Sequence, residues 1–245
     1  MNIAVIICAA GSGSRFGSKK KKQFTDVAGR PAFLRSVEFF ADNNNVKQII
    51  LSVPAEDKEL LEIRHGASLS FHGVKLCVGG SERFETVAKA IELVKDDIDI
   101  IAIHDAVRCC LVPGWIEDVF ALASKTGAAM LACPVVATLK KVDNKQIIST
   151  VDRTGLYEAQ TPQVFKAELI REAYGRIDEL DKSKISDDAQ LVEAAGHKVA
   201  IVETDSSNIK ITTACDIAIA EAIIKTRKKD EPKGYVGPYD DAAKW

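Results

Sequence analysis

Residues 9–24 read AAGSGSRFGSKKKKQF and follow directly on the apolar run Ile3–Cys8. Gly11 and Gly13 let the backbone come close to a ligand and turn N–H groups outward, which is how glycine-rich loops cradle phosphates. Arg15 and the run Lys19–Lys22 add full positive charge to the same loop. A triphosphate carries about four negative charges near neutrality, and cations in a shielded cleft attract it far more strongly than in bulk water. A dinucleotide fingerprint would need a third glycine where Phe16 stands, and a P-loop would need Gly-Lys-Ser/Thr; neither is present. Against the phosphate reading stands a surface turn with a solvated lysine run.

Three other segments carry chemistry-bearing side chains. IAIHDAVRCC puts Asp105 just beyond an apolar run, where one carboxylate together with substrate phosphates suffices to hold magnesium. Arg108 could clamp a second phosphate, while His104 is read as satisfying a backbone carbonyl. VGGSERFETV pairs two glycines with Ser81, Arg83 and Thr86 at a helix start, and SSNIKITTACD sets Lys210 in a strand-like run that would project it inward.

The elements that must position these residues alternate. Strands are expected at Ile3–Cys8, Gln48–Val53, Val74–Val78, Ile98–Ile103, Ala128–Pro134 and Lys198–Glu203. Amphipathic helices are expected at Pro31–Ala41, Glu56–Arg64, Glu82–Val94, Trp115–Ser124 and Asp187–Ala195, the last closed by Gly196, with a final one at Thr213–Lys225. Apolar strands between amphipathic helices give an α/β fold, a mostly parallel sheet with helices on both faces. Ligands in such folds sit beyond the carboxyl ends of the strands. Residues 135–153 break the alternation: two strand-like runs flank Asp143-Asn144-Lys145 with no helix between, a hairpin arm. Two strands alone are marginal in water, so the arm is expected to pack on a dimer partner in preference to its own domain. The expected organisation is one domain over 1–226 and a mobile Gly/Pro-rich charged tail over 227–245.

Composition narrows the function classes. With 33 Lys+Arg against 35 Asp+Glu the net charge is -2, without the basic excess of a nucleic-acid binder. The opening IAVIIC is too short for a membrane span or a signal peptide's apolar core. Six cysteines without CxxC pairing read as free thiols of a soluble cytoplasmic protein.

Taken in order, AAGSGSRFG…KQF, GGSERFETV, HDAVR, TVDRTGLYEAQTPQVF, SDDAQLVEAAG and NIKITT resemble the 2-C-methyl-D-erythritol 4-phosphate cytidylyltransferase family over Ile3 to about Lys225. The resemblance implies a three-layer, Rossmann-like nucleotidyltransferase fold and transfer of CMP from CTP to a sugar-alcohol phosphate, with magnesium and a homodimer. It implies that Ala9, Ala10, Gly11 and Gly13 border the nucleotide and that Arg15 and Lys22 act on the triphosphate. Gly80, Ser81 and Thr86 would select cytosine. Asp105 would hold the metal and touch the acceptor, and Lys210 would lie near the α-phosphate. Arg108, Thr138 and Arg153 would bind the acceptor, the last two reaching from the arm into a neighbouring subunit's site. The chain departs from the family pattern at Lys21 and Cys109, where proline is usual, and at Ser81 and Thr86, where Asp and Ser are commoner. A ribitol 5-phosphate enzyme, a non-catalytic nucleotide-binding module and, more distantly, an NAD-type oxidoreductase are the competing readings.

Overall fold

A computed structural model of the chain describes residues 1–11 and 21–227, and the structural statements that follow concern those residues. The apolar run Ile3–Cys8 is β1. A single 3-10 turn, Lys22–Phe24, leads to a short ribbon of β2 (Asp26–Val27) and β3 (Arg30–Pro31) and then to α1 (Ala32–Ala41). There follow β4 (Val46–Val53), α2 (Ala55–Phe71), β5 (Val74–Val78), α3 (Arg83–Ile91), β6 (Ile100–Asp105), α4 (Pro113–Thr126) and β7 (Ala128–Pro134). After β8 (Leu139–Asp143) and β9 (Gln146–Val151) come β10 (Tyr157–Lys166), α5 (Ala167–Gly175), α6 (Asp188–Ala194), β11 (Ala200–Glu203) and α7 (Cys215–Arg227).

Seven strands form one sheet in the order β11-β7-β10-β6-β1-β4-β5. All run parallel except β10, which is antiparallel to both of its neighbours. Central strands of such a sheet are covered on both faces and must be apolar throughout, as the wholly buried Ile3–Ile7 and Ile100–Ile103 are. Alternation sends Ile3, Val5 and Ile7 against Phe33, Val37 and Phe40 of α1, with Leu61 of α2 and Val119 and Phe120 of α4 on the same face. Ala4 and Ile6 face the other way, toward Val87 and Ala90 of α3, Ile170 of α5 and Leu191 of α6. The result is three layers. A smaller cluster packs Ala220 of α7 against Val27, Cys110 and Ile211, fastening α7 to the ribbon and to the loop after β6.

Some elements differ from their sequence-based expectation. The strand expected at Ile98–Ile103 is shifted to Ile100–Asp105, so His104 and Asp105 are its last residues and not a following loop. Pro31 belongs to β3 and the helix begins at Ala32. Helix α2 runs on to Phe71; its last two turns bury only Leu69, so no apolar stripe announces them. β10 and α5 were not expected from periodicity at all. Pro162 sits where the register of β10 with β7 shifts between Ala159 and Gln163, the kind of irregularity at which a strand tolerates proline. Residues 209–212 form no strand, although Ile211 is buried and Lys210 lines the cleft described below, as alternation predicts. Gly196, at φ +90, does follow the end of α6.

The arm at residues 135–153 is a two-stranded ribbon, separate from the main sheet. Asn144 and Lys145 both take left-handed φ values, 47 and 65, the backbone of the tight turn that matches strand twist. Arg227 is the last residue of α7 and not part of a tail: its guanidinium donates to the carbonyls of Cys110 and Leu111 and lies 5.3 Å from the Trp115 ring. Residues 228–245 lie outside the described residues.

Candidate active site

At the carboxyl ends of β1, β5 and β6 two glycine-containing loops face each other across a cleft. Gln23, buried in the 3-10 turn, donates its amide to the carbonyls of Ala9 and Gly11 at 2.8 and 3.2 Å, stitching the turn onto the end of β1. Across the cleft a Cβ on Gly79 would lie 2.4 Å from Ala10 Cβ and 2.8 Å from Thr86 Oγ1, so only glycine permits this approach. Gly80 is equally crowded by Glu85. Thr86 Oγ1 accepts from the Gly80 N–H and donates to the Glu82 carbonyl. The Glu85 carboxylate accepts from the N–H groups of Ser81 and Glu82 and from the Ser81 hydroxyl, completing a capping box at the start of α3. The Ser81 and Thr86 hydroxyls thus shape the loop in the free chain. Gly79→Ala is expected to separate the loops, destabilising the fold by about 1–3 kcal/mol in urea unfolding.

The floor of the cleft is an acid ringed by three cations. Asp105 takes Lys210 Nζ at 2.6 Å, Arg83 Nε at 3.5 Å and Arg108 Nε at 3.8 Å. Burial by itself would raise its pKa, but Arg83, Lys210 and Arg108 overcome that and hold the carboxyl well below the usual carboxylate range. Lys210 is aimed by its loop: the Ile211 N–H donates to the Val107 carbonyl, and Arg108 Nη1 donates to the Asn208 carbonyl at 2.7 Å. Arg108 Nη2 donates to the Ala159 carbonyl, so this guanidinium braces the floor from below. Arg83 is steadied from the opposite side by buried Asp188 at 2.7 Å, whose other oxygen accepts from the Tyr174 hydroxyl at 2.6 Å.

Beneath the acid runs a buried polar chain. The Asp105 N–H donates to Thr161 Oγ1, which also meets His104 Nδ1 at 3.1 Å. His104 therefore engages a hydroxyl and not the backbone carbonyl expected of it. Its burial pushes the imidazole pKa down to about 3, so it stays neutral and is no general acid or base near pH 7. Asn208 donates to Gln160 Oε1 and to the Thr161 carbonyl, joining β10 to the Lys210 loop.

Ala9, Ala10, Gly11, Lys22, Gly80, Ser81, Thr86, Asp105 and Lys210 all line this one cleft. Gly13 and Arg15 lie outside the described residues. Arg108 lies under the floor. Thr138 and Arg153 are at the root of the exposed arm, where Arg153 donates to the Val136 carbonyl, and neither is among the described residues lining the cleft. Sequence reasoning gave Gln23, Thr161, Asp188 and Tyr174 no role. Asp188 and Thr161 fall in the quoted SDDAQ and QTPQ motifs, but a polar residue in a motif does not reveal which partner it meets. Among the described residues no three His, Cys, Asp or Glu side chains cluster as a metal cage. One ionised carboxylate on the cleft wall suits a hard cation completed by phosphate oxygens.

A family model described as 2-C-methyl-D-erythritol 4-phosphate cytidylyltransferase matches residues 3–226. A protein of that name from Endomicrobium trichonymphae is 44% identical over 92% of this chain and 100% of its own length. Another, from Rhodopirellula baltica, is 39% identical over 91% of this chain and 95% of its own. The crystal structure of 2-C-methyl-D-erythritol 4-phosphate cytidylyltransferase from Thermus thermophilus superposes with a TM-score of 0.77 at 30% identity, covering 92% of this chain and 100% of that one.

Proposed function

Because this chain belongs to the 2-C-methyl-D-erythritol 4-phosphate cytidylyltransferase family, we propose that the cleft around Asp105 is where it carries out the family's reaction. The reaction is transfer of a cytidylyl group from CTP to 2-C-methyl-D-erythritol 4-phosphate. The relatives name this acceptor and not ribitol 5-phosphate, and an enzyme and not a passive nucleotide binder or an NAD-type oxidoreductase.

A phosphate oxygen of the acceptor attacks the α-phosphorus of CTP, the bond to the bridging oxygen breaks, and pyrophosphate leaves. The nucleophile is already an anion, so no strong base is needed. The task is to bring two anions together and neutralise charge as it moves to the leaving group. Lys22, on the turn held by Gln23, meets the triphosphate with Arg15; Lys210 meets the α-phosphate from the opposite wall. Gly80, Ser81 and Thr86, which line the cleft on the facing loop, meet the base. The observation that carries this reading is the convergence of Lys210, Arg83 and Arg108 on one ionised carboxylate beside two loops of close backbone approach. Magnesium fits there with Asp105 as its protein ligand, and when bound would supply charge neutralisation to the phosphates. Pyrophosphate release with CTP, magnesium and methylerythritol phosphate, compared with ribitol 5-phosphate, tests the assignment. Turnover with ribitol phosphate alone would reject it.

The arm completes the proposal. Val142, Ile147 and Ile148 are 53%, 65% and 59% exposed on a ribbon with no core of its own, and Val142 pairs with Ile147 across it. Such a surface is suited to a second copy of the chain, into whose cleft Thr138 and Arg153 would reach to bind the acceptor. Ile147→Asp is expected to turn a dimer into monomers on size-exclusion chromatography and to raise the KM for the acceptor more than that for CTP. No helix among the described residues is long and apolar enough to cross a membrane. Six cysteines without a disulfide suit a reducing cytoplasm.

A further inference from the structure

Lys21 stands beside the proposed catalytic Lys22, yet its side chain points away from the cleft. Its ammonium lies 2.6 Å from both Glu56 Oε1 and Asp57 Oδ2, in the first turn of α2. Two acids at a helix N-terminus are well placed by the helix dipole, and the contact with Lys21 holds the Glu56 carboxyl below its ordinary range. Lys21 itself has φ -64 and ψ 138 and caps the 3-10 turn that carries Lys22, Gln23 and Phe24. The Phe24 N–H and the Thr25 hydroxyl both return to the Lys21 carbonyl, so whatever fixes Lys21 fixes the turn.

Packing supplies part of that fixing, through Phe24, half-buried against the main core. Behind the turn is an open-sided hollow of about 430 Å³ between Lys21, Phe24, Pro31, Leu60 and Arg64. On this side the turn rests on Phe24 against Phe33 and on the ion pairs. On the cleft side Gln23 is its suture. The φ of Lys21 is one that proline would impose, so the backbone takes a proline-like path while a charged clamp does the restraining.

We propose that Lys21, clamped by Glu56 and Asp57, is a positioning residue that presents Lys22 to the triphosphate of CTP. The inference rests on the functional reading above, since it supposes that Lys22 meets CTP. A turn released at one end moves its lysine by an ångström or so, and displacement on that scale costs up to about a hundredfold in rate. Steady-state kinetics on the full chain test this. Lys21→Ala is expected to lower kcat/KM for CTP by about ten- to a hundredfold, leaving the KM for the sugar phosphate and the circular dichroism unchanged. Lys21→Arg should recover most of the loss, because its guanidinium still reaches both carboxylates. Glu56→Gln with Asp57→Asn should reproduce the Lys21→Ala loss, and combining all three should add nothing. If the Glu56/Asp57 double variant keeps full activity while Lys21→Ala loses it, Lys21 acts on the ligand directly and the clamp is refuted. No loss in Lys21→Ala refutes it equally. Wild-type turnover of CTP, measured in the same series, separates failure of the clamp from failure of the reaction assignment.

Discussion

Lys22→Ala should lower kcat/KM for CTP by about 10²–10³-fold, the usual cost of removing one charged contact from a developing transition state, with little change in folding. The neighbouring clamp residue should cost less, and the difference is physical. Lys21 sets where the turn sits, whereas Lys22 lines the cleft itself, on the turn that Gln23 sutures to Ala9 and Gly11. Losing the positioner leaves a misplaced cation; losing the cation leaves none at that point. Lys22→Arg should restore only part of the rate, because a planar fork does not replace a compact ammonium facing phosphate oxygens. Lys22 is half-buried on a one-turn element and takes no part in the apolar clusters, so circular dichroism and urea midpoint should match wild type. Pyrophosphate release at near-normal rate by purified Lys22→Ala would remove Lys22 from the chemistry.

Much of this arrangement could be read from the amino-acid order, for reasons that also mark where reading stops. The parallel strands are short β-branched runs, and α1, α3, α4 and α6 between them announce themselves by apolar stripes. The paired glycines and the charged residues were identifiable because their types are costly or idle elsewhere. β10 escaped because its alternation is broken at Pro162 and its outer half is exposed: Tyr157, Glu158 and Ala159 pair only with β7. That omission hid the floor of the site. Thr161 and Gln160 come from this strand, and without it nothing in the sequence says that Asn208 and His104 share a network. The ion pairs Arg83–Asp188 and Lys21–Glu56/Asp57 join residues far apart in sequence, and charge alone does not choose partners. Lys21 shows the limit best. As a departure from a family pattern it shows only a missing proline; in the fold it is restrained by two carboxylates.

Asp105→Asn separates two roles that the wild-type residue combines. The amide keeps the shape of the carboxyl but removes the charge shared by Lys210, Arg83 and Arg108. Arg83 keeps Asp188, Arg108 keeps two carbonyls, and Lys210 is exposed enough to turn toward solvent. The fold should therefore survive with a loss of about 1–3 kcal/mol, the cost of leaving buried charged donors without their acceptor. The sign with pH follows from the depressed pKa. Asp105 contributes its full stability above the ordinary carboxylate pKa and loses it progressively as pH falls from there through its own lowered value. The stability difference between wild type and variant should thus be constant from pH 7 to 5 and shrink only in strong acid. On the ligand the effects should oppose each other. Lys210 and Arg83, the two of these cations that line the cleft, should without the acid between them bind CTP in the absence of magnesium at least as tightly as wild type in calorimetry. Turnover should nevertheless fall by about 10²–10³-fold, because the charged oxygen proposed to hold magnesium becomes a neutral amide oxygen and Lys210 is no longer held in place. Strong binding with weak turnover would place Asp105 in the reacting machinery, and unchanged turnover would show that it only neutralises its neighbours.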